Sequence, residues 1–171
     1  MLSQLIMSNE STSYQYRFKI KNGNYIWIEN HSKFIKSSFD KSGRMVHFMA
    51  DITERIKTEE KLTVLSYAIE FSPSVSIITD SDGIIQYVNS RFSEVTGYSS
   101  DDAVGKKPNI LKSGEIRDIV YDELWQKISA GNVWKGLLRN KKKDGSLYWD
   151  RVSISGVKNM QGEITHYLST Q

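Results

Sequence analysis

The stretch "KNGNYIWIEN" beginning at Lys21 returns as "KDGSLYWDRV" beginning at Lys143, 122 positions further along the 171-residue chain. Lys19, Lys21, Gly23 and Trp27 recur at that spacing as Lys141, Lys143, Gly145 and Trp149. Further on, "SGRMVHFM" from Ser42 is answered by "QGEITHYL" from Gln161, with Gly43 against Gly162 and His47 against His166, now at a spacing of 119. A spacing that changes only in the middle implies two related segments whose connection differs in length, which is how hairpins diverge. The chain carries one structural unit twice, so a fold assigned to one copy has to suit the other.

From Tyr14 to Ala50 three strands are predicted. "YQYRFKI" and "YIWIENHSKFI" alternate in character around an Asn22-Gly23 turn, and "KSG" from Lys41 separates them from "RMVHFMA". At Asp51 the period changes. Asp51 with Glu54 forms the pattern of a capping box, in which each side chain serves a backbone amide, and the spacing predicts a helix starting near Ile52. Leu62, Leu65 and Ile69 give its second half an apolar stripe that should be buried, either in a dimer or against the chain's own domain. Pro73 ends it.

Two short strands, "SVSIITD" and "GIIQYVN", follow around the turn "SDG". "NSRFSEVTGYSSDDAVGKK" predicts two short helical turns, with Asn89 and Ser100 as N-caps and Gly97 and Gly105 as stops. "EIRDIVYDELWQKISAG" is the long amphipathic helix of this half, with Ile116, Val120, Leu124 and Ile128 spaced by four and Gly131 at its end. Three more strands run from Val133. Strands and helices segregated in this way predict an α+β fold on an antiparallel sheet, with the second copy complete and the first reduced to three strands.

The length allows one ordinary domain with room for a fragment of another. No apolar run approaches the ~20 residues of a membrane helix, and the opening "MLSQLIMSNES" is too short and uncharged for a signal peptide. There is no cysteine, which excludes disulfides, thiolate ligands and covalent cysteine chemistry. Net charge is +3, and the densest basic stretch, "RNKKKDG" from Arg139, falls at an expected hairpin turn without a second basic stripe, so no nucleic-acid contact is expected.

No catalytic constellation is present: no phosphate-cradling glycine loop, no "HExxH", no "GxSxG" and no kinase nucleotide motif. Asp101 and Asp102 fall in a turn and are expected to cap a helix. His31, His47 and His166 lack neighbouring ligands in sequence, and no metal site is expected.

The order of elements, the "DITER" at a domain's end, and the run "GKKPNILKSGE...YDELWQKISAGNVWKGLLRNKKKDGSLYW" resemble the PAS sensory domain of bacterial signalling proteins. The resemblance covers Leu65 to Gln171 as a nearly whole domain and Tyr14 to Thr53 as the C-terminal half of another; Gly156 stands where many members have proline. It implies a five-stranded antiparallel sheet with helices on one face enclosing a pocket, preceded by a three-stranded partial sheet and a connecting helix. The expected division is a half domain over 1–50, a linker helix over 51–71 and a PAS domain over 72–171. Asp51, Ile52 and Thr53 would then fix where the last strand hands over to a helix that carries the signal out.

Several members similar to this sequence hold flavin adenine dinucleotide non-covalently, which points to Trp125 and Asn140, with Trp134 and Asn89 as weaker additions. An indole can line a flat apolar slot, and an amide can pair with the donor and acceptor edge of an isoalloxazine ring. From residue type alone, the tryptophans serve equally as core and Asn89 as a helix cap. In some flavin-bearing relatives an acidic residue stands where this chain has Pro108. The light-sensing flavin and photoactive-yellow-protein relatives need a cysteine this chain lacks, and the helix that carries the haem histidine in other relatives has none here. The resemblance thus implies a non-catalytic sensory module of a histidine kinase or cyclic-di-GMP enzyme, sensing a small ligand or redox state, or else a ligand-free dimerisation module. It would lie in the cytoplasm, alone or as the cytoplasmic portion of a membrane-anchored receptor. A homodimer through the sheets and linker helix is expected, with the output domain outside this chain. One apolar face of the first sheet, including Ile26, Ile28 and Phe34, would need cover from a second protomer or a neighbouring domain.

Overall fold

The computed structural model describes residues 11–36 and 43–171; the opening residues and the turn expected at Lys41 and Ser42 lie outside them. Two compact units divide the chain, Met1–Val64 and Leu65–Gln171. The first holds β1 (Ser11–Lys19), β2 (Tyr25–Lys36) and β3 (Gly43–Asp51) in one antiparallel sheet of order β1-β2-β3. Helix α1 (Thr53–Glu70) follows and runs through the division. The second holds β4 (Ser76–Asp80), β5 (Ile85–Val88), α2 (Ser90–Thr96), α3 (Ser100–Ala103), a 3₁₀ turn (Pro108–Leu111), α4 (Asp118–Ser129), β6 (Trp134–Lys141), β7 (Leu147–Lys158) and β8 (Ile164–Thr170). Its five strands pair antiparallel in the order β5-β4-β8-β7-β6, which is the predicted α+β architecture.

The repeat is visible as paired hairpins. Gly23 and Gly145 take left-handed φ values of 89° and 88° at the two turns, as type-matched turns without a Cβ penalty allow. Ile20 N–H donates to Asn24 O in one, and Lys142 N–H donates to Ser146 O in the other. Trp27 lies opposite Arg17 just as Trp149 lies opposite Arg139. The second part of the echo does not hold. Ile35 pairs with Arg44 and Val157 with His166, so up to the bulge between Val157 and Lys158 the register keeps the 122-residue spacing and makes Arg44, not His47, the counterpart of His166. Sequence similarity at 119 is out of step by an odd number, which in a strand of period 2 would reverse the faces. By this register the inward positions Leu138, Asn140, Val152 and Ile154 correspond to Tyr16, Phe18, Asn30 and Ser32, on the face where Ile26, Ile28 and Phe34 also lie.

The end of β3 is clamped to β2. Ile52 N–H donates to Trp27 O at 2.9 Å, and Trp27 N–H donates to Thr53 Oγ1 at 2.9 Å, so one residue holds both sides of the handover. Asp51 Oδ1 accepts from Thr53 N–H at 2.9 Å, and these Thr53 hydrogen bonds hold its carboxyl below the usual aspartate value. Glu54 does not complete a capping box; its carboxylate takes the Lys57 ammonium at 2.9 Å instead. Among the described residues α1 buries no side chain, so of the two covers expected for its stripe the chain's own domain does not supply one: Leu62 and Leu65 are 61% and 50% exposed.

In the second unit Asn89 caps α2 and Gly97 closes it with φ 76°, as predicted. The cap of α3 is Ser99 rather than Ser100, because Ser99 and Asp102 form a reciprocal capping box. Asp102 also takes the Lys143 ammonium, which ties α3 to the β6–β7 turn, and these bonds hold its carboxyl down at about 2. Gly105 follows the C-cap Val104 with φ 80°, and its N–H donates to Ile85 O. Val75, Ile77, Ile85, Val88, Phe92, Ala103 and Leu111 form one buried cluster. Leu124, Ile128, Trp134, Leu138, Val152 and Tyr167 form the other.

Candidate ligand-binding site

Between the sheet, α4 and the 3₁₀ turn lies a cavity of about 320 Å³. Its floor follows from strand alternation: Leu138 and Asn140 of β6, Val152 and Ile154 of β7, and Tyr167 and Ser169 of β8 all face it, with Gln171 beyond. One face of α4, spaced by three and four, supplies Tyr121, Leu124, Trp125 and Ile128. Lys107, Pro108, Asn109, Leu111 and Lys112 contribute from the 3₁₀ turn, where Pro108 fits the first position because its missing N–H would have no partner there.

Trp125 is 43% exposed and stands edge-on to Tyr167, with ring centroids 5.7 Å apart at 90°. It closes over Gly83, where a Cβ would lie 3.1 Å from the indole and φ is +78°. Asp80 holds that turn, accepting from Asp82 N–H and Ile84 N–H through Oδ1. Glycine is required at 83 both for the turn and for the approach of the ring.

Asn140 is 5% exposed. Its backbone bridges Lys112, while its Nδ2 reaches Asp150 Oδ2 only at 3.4 Å. Burial raises the Asp150 carboxyl above its ordinary value, the Asn140 amide partly offsetting it. Burial likewise pushes the neighbouring Tyr148 phenol up to about 12.

Two further predicted residues sit elsewhere. Asn89 is fully buried and does not line the cavity; its Oδ1 accepts from Ser76 N–H and Phe92 N–H, and its Nδ2 donates to Ile69 O and Ser74 O. With its amide saturated by backbone, it has nothing left for a ligand. Trp134 is 3% exposed and lies in the core cluster over Gly136, outside the cavity lining. The structure places Trp125 and Asn140 in the cavity lining, Asn89 in the cap of α2 and Trp134 in the core.

Sequence reading missed Ser169 and Gln171. Among the described residues, the buried side-chain atoms Ser169 Oγ, Gln171 Oε1 and Tyr148 OH have no hydrogen-bond partner, and the first two belong to residues that line the cavity. Buried polar groups are almost always paired, so unpaired ones beside a cavity are poised for a ligand. The available signal was alternation: Tyr167 and Ser169 fall on one face of β8, and Gln171, just past its end, keeps the same spacing of two, where apolar residues would be expected. No group of three or more His, Cys, Asp or Glu comes together as metal ligands among the described residues, and none of their helices is long and apolar enough to cross a membrane.

Comparison with known proteins places this geometry. The chain is 38% identical, over 99 residues, to the nitrogen fixation regulatory protein of Klebsiella oxytoca, an overlap of 57% of this chain and 20% of that protein. The aerotaxis receptor of Escherichia coli is 26% identical over 91 residues, 53% of this chain and 18% of the receptor. The chain thus spans about a fifth of the length of these relatives. Among solved structures, the PAS domain of a Colwellia psychrerythraea protein superposes with a TM-score of 0.60 at 20% identity, covering 65% of this chain and 95% of that one. The dark structure of the blue-light photoreceptor Aureochrome1 LOV gives 0.56 at 27% identity, covering 63% and 80%. The family model described as the PAS fold matches residues 65–171, and through that unit, with its cavity between sheet and helices, the chain belongs to the PAS-fold family.

Proposed function

We propose that residues 65–171 form a non-catalytic sensory module that holds a planar heteroaromatic ligand, flavin adenine dinucleotide foremost, in this cavity without a covalent bond. The observation that carries the reading is the pair of unpartnered polar atoms, Ser169 Oγ and Gln171 Oε1, on residues that line the same cavity as Asn140. A flat ring would lie between Trp125 and the sheet, with its hydrogen-bonding edge toward these groups. At about 320 Å³ the cavity suits a ring system rather than a whole dinucleotide, so the nucleotide portion would extend outward. A change in the ligand would alter the sheet's hydrogen bonding, and in the signalling protein that carries the module a helix entered through an Asp51-Ile52-Thr53 type of handover would transmit it. A histidine kinase or a cyclic-di-GMP enzyme is the output we infer, with the module in the cytoplasm.

The test is an absorbance spectrum of purified protein, followed by titration with flavin adenine dinucleotide. Retained or restored flavin bands support the reading, and a colourless protein that takes up none overturns it. Ser169→Ala with Gln171→Leu should then weaken binding roughly tenfold, the worth of one to two hydrogen bonds. The same variant should melt higher than wild type without ligand, because it removes buried groups that only a ligand satisfies.

The exposed stripe on α1 favours a second reading, in which the chain pairs with its own copy through that helix and the sheets. Leu62, Leu65 and Ile69 repeat at coiled-coil spacing, and no residue of α1 is buried. Sedimentation should show a dimer that Leu62→Glu with Leu65→Glu converts to monomer; a monomeric wild type at micromolar concentration removes this reading.

A further inference from the structure

Asn140 lines the cavity, and beside it on the same face of the sheet stands an acid that does not. Asp150 is half-buried, two residues along β7 from the cavity residue Val152. Its Oδ2 receives Asn140 Nδ2 at 3.4 Å, long for a bond to a charged acceptor. Among the described residues it takes part in no salt bridge. Burial therefore raises its carboxyl, with only the Asn140 amide acting against it.

The charged groups on the surrounding elements are turned away or engaged. Lys135, Arg139 and Lys141 of β6 and Arg151 of β7 alternate to the opposite face, as His166 of β8 does. On α4, Glu123 holds Lys127 at 2.9 Å, and Asp118 and Asp122 are exposed. Lys107, before the 3₁₀ turn, is exposed, and Lys112, after it, sets its ammonium 3.7 Å from the centroid of the Tyr121 ring. Lys142, past the end of β6, lies 5.9 Å from the centroid of the Tyr148 ring. What remains on the Asp150 face are phenols: Tyr121, Tyr167 and Tyr148, whose buried OH has no partner among the described residues.

Ionised Asp150 can only accept, so it holds Nδ2 and leaves Asn140 Oδ1 as the free end of the amide. Protonated Asp150 can donate to Oδ1, and a half-turn about the last side-chain torsion then frees Nδ2. Because Asn140 lines the cavity and Asp150 does not, the free end is the one a ligand meets. Gln171 Oε1, on another lining residue, is already an unmatched acceptor. With Asp150 ionised the wall thus offers acceptors, which suit a ring edge carrying an N–H. With Asp150 protonated it offers a donor at Asn140, which suits a carbonyl.

We propose, on the basis of the heteroaromatic reading above, that Asp150 is a specificity-determining residue of this site: acting through Asn140, it makes the choice between a ring edge with an N–H donor and one without it depend on a single proton. Asp150 touches no ligand and acts by positioning the amide. The preference it sets is one that the shape of the cavity does not contain.

Lumiflavin and its imide-N-methyl derivative share one ring, and the methyl group removes the imide N–H. Fluorescence anisotropy against the full 171-residue chain should show lumiflavin bound roughly tenfold more tightly once Asp150 is ionised, the worth of one hydrogen bond. The preference should shrink as pH falls through the raised range of the carboxyl, because the proton turns the amide. The bulk of the methyl group costs the same at every pH, so the change in the ratio is the readout. Asp150→Asn keeps the size of the side chain without its titration and should hold the ratio constant. A wild-type ratio that ignores pH, or one that changes equally in Asp150→Asn, overturns the proposal and leaves the ring reading in place. A second measurement needs no ligand: the side-chain amide resonance of Asn140, identified by its loss in Asn140→Ser, should shift with one proton in the wild type and stay fixed in Asp150→Asn. Should neither flavin bind, the ring reading falls; an amide resonance that does not titrate then overturns the role of Asp150 as well, and one that does titrate upholds its hold on Asn140.

Discussion

Replacing Asn89 with alanine is expected to destabilise the 65–171 unit by about 3 kcal/mol, because it strands several buried backbone groups at once. Asn89 is fully buried and touches four segments: the end of α1 through Ile69 O, the following turn through Ser74 O, β4 through Ser76 N–H, and the start of α2 through Phe92 N–H. Alanine returns none of these bonds. For a unit of this size the loss should lower the melting temperature by ~15 °C. Asn89→Asp separates the two halves of the role. Its carboxylate still accepts from Ser76 and Phe92 but faces two carbonyl oxygens where Nδ2 donated. Its folded-state pKa is therefore raised, so the variant is least stable once ionised and regains stability as pH falls and the protonated acid donates again. Thermal melts of the wild type and both variants across pH check this. A wild-type melting temperature for Asn89→Ala together with lost flavin binding would return Asn89 to the ligand site.

Trp134→Ala should cost about 3 to 5 kcal/mol, the range for removing a buried large aromatic. The indole is 3% exposed among Leu124, Ile128, Leu138, Val152 and Tyr167. It lies so close over Gly136 that a Cβ there would come within 2.3 Å of the ring. Gly136→Ala alone should therefore be destabilising by about 1 to 3 kcal/mol through overpacking. The two sites share one contact and cannot be additive. Once the indole is gone the methyl at 136 meets no ring, so the double variant should be no worse than Trp134→Ala and slightly better. Chemical denaturation of the four proteins in this cycle measures the coupling, and strict additivity would mean the ring does not rest on Gly136.

These two residues also show where sequence reading stops. Asn89 and Trp134 have the composition of ligand contacts, and both were open between site and scaffold because an amide or an indole serves either purpose. What decides is the number of backbone partners within reach of one and the absence of space beside the other. The converse failure occurs at Ser169 and Gln171, ordinary residues in "LSTQ" that gain meaning only because β8 lies between β4 and β7 and turns them toward the cavity. The echo at His47 and His166 misled in a third way, since similarity of letters does not fix strand register.

The elements were legible from the residues alone: the period of each segment, the Asn-Gly and Asp-Gly turns, the caps at Asn89 and Gly97, and the recurrence of one hairpin. These are local properties, set by backbone sterics and hydrogen bonds within a few residues. The assembled fold was needed to show that β8 inserts between β4 and β7, that α1 buries no side chain among the described residues, and that Trp125, Asn140, Ser169 and Gln171 line one cavity. Those outcomes depend on contacts between residues far apart in sequence, where burial and unmet hydrogen bonds belong to the assembled sheet and helices rather than to any single stretch of chain.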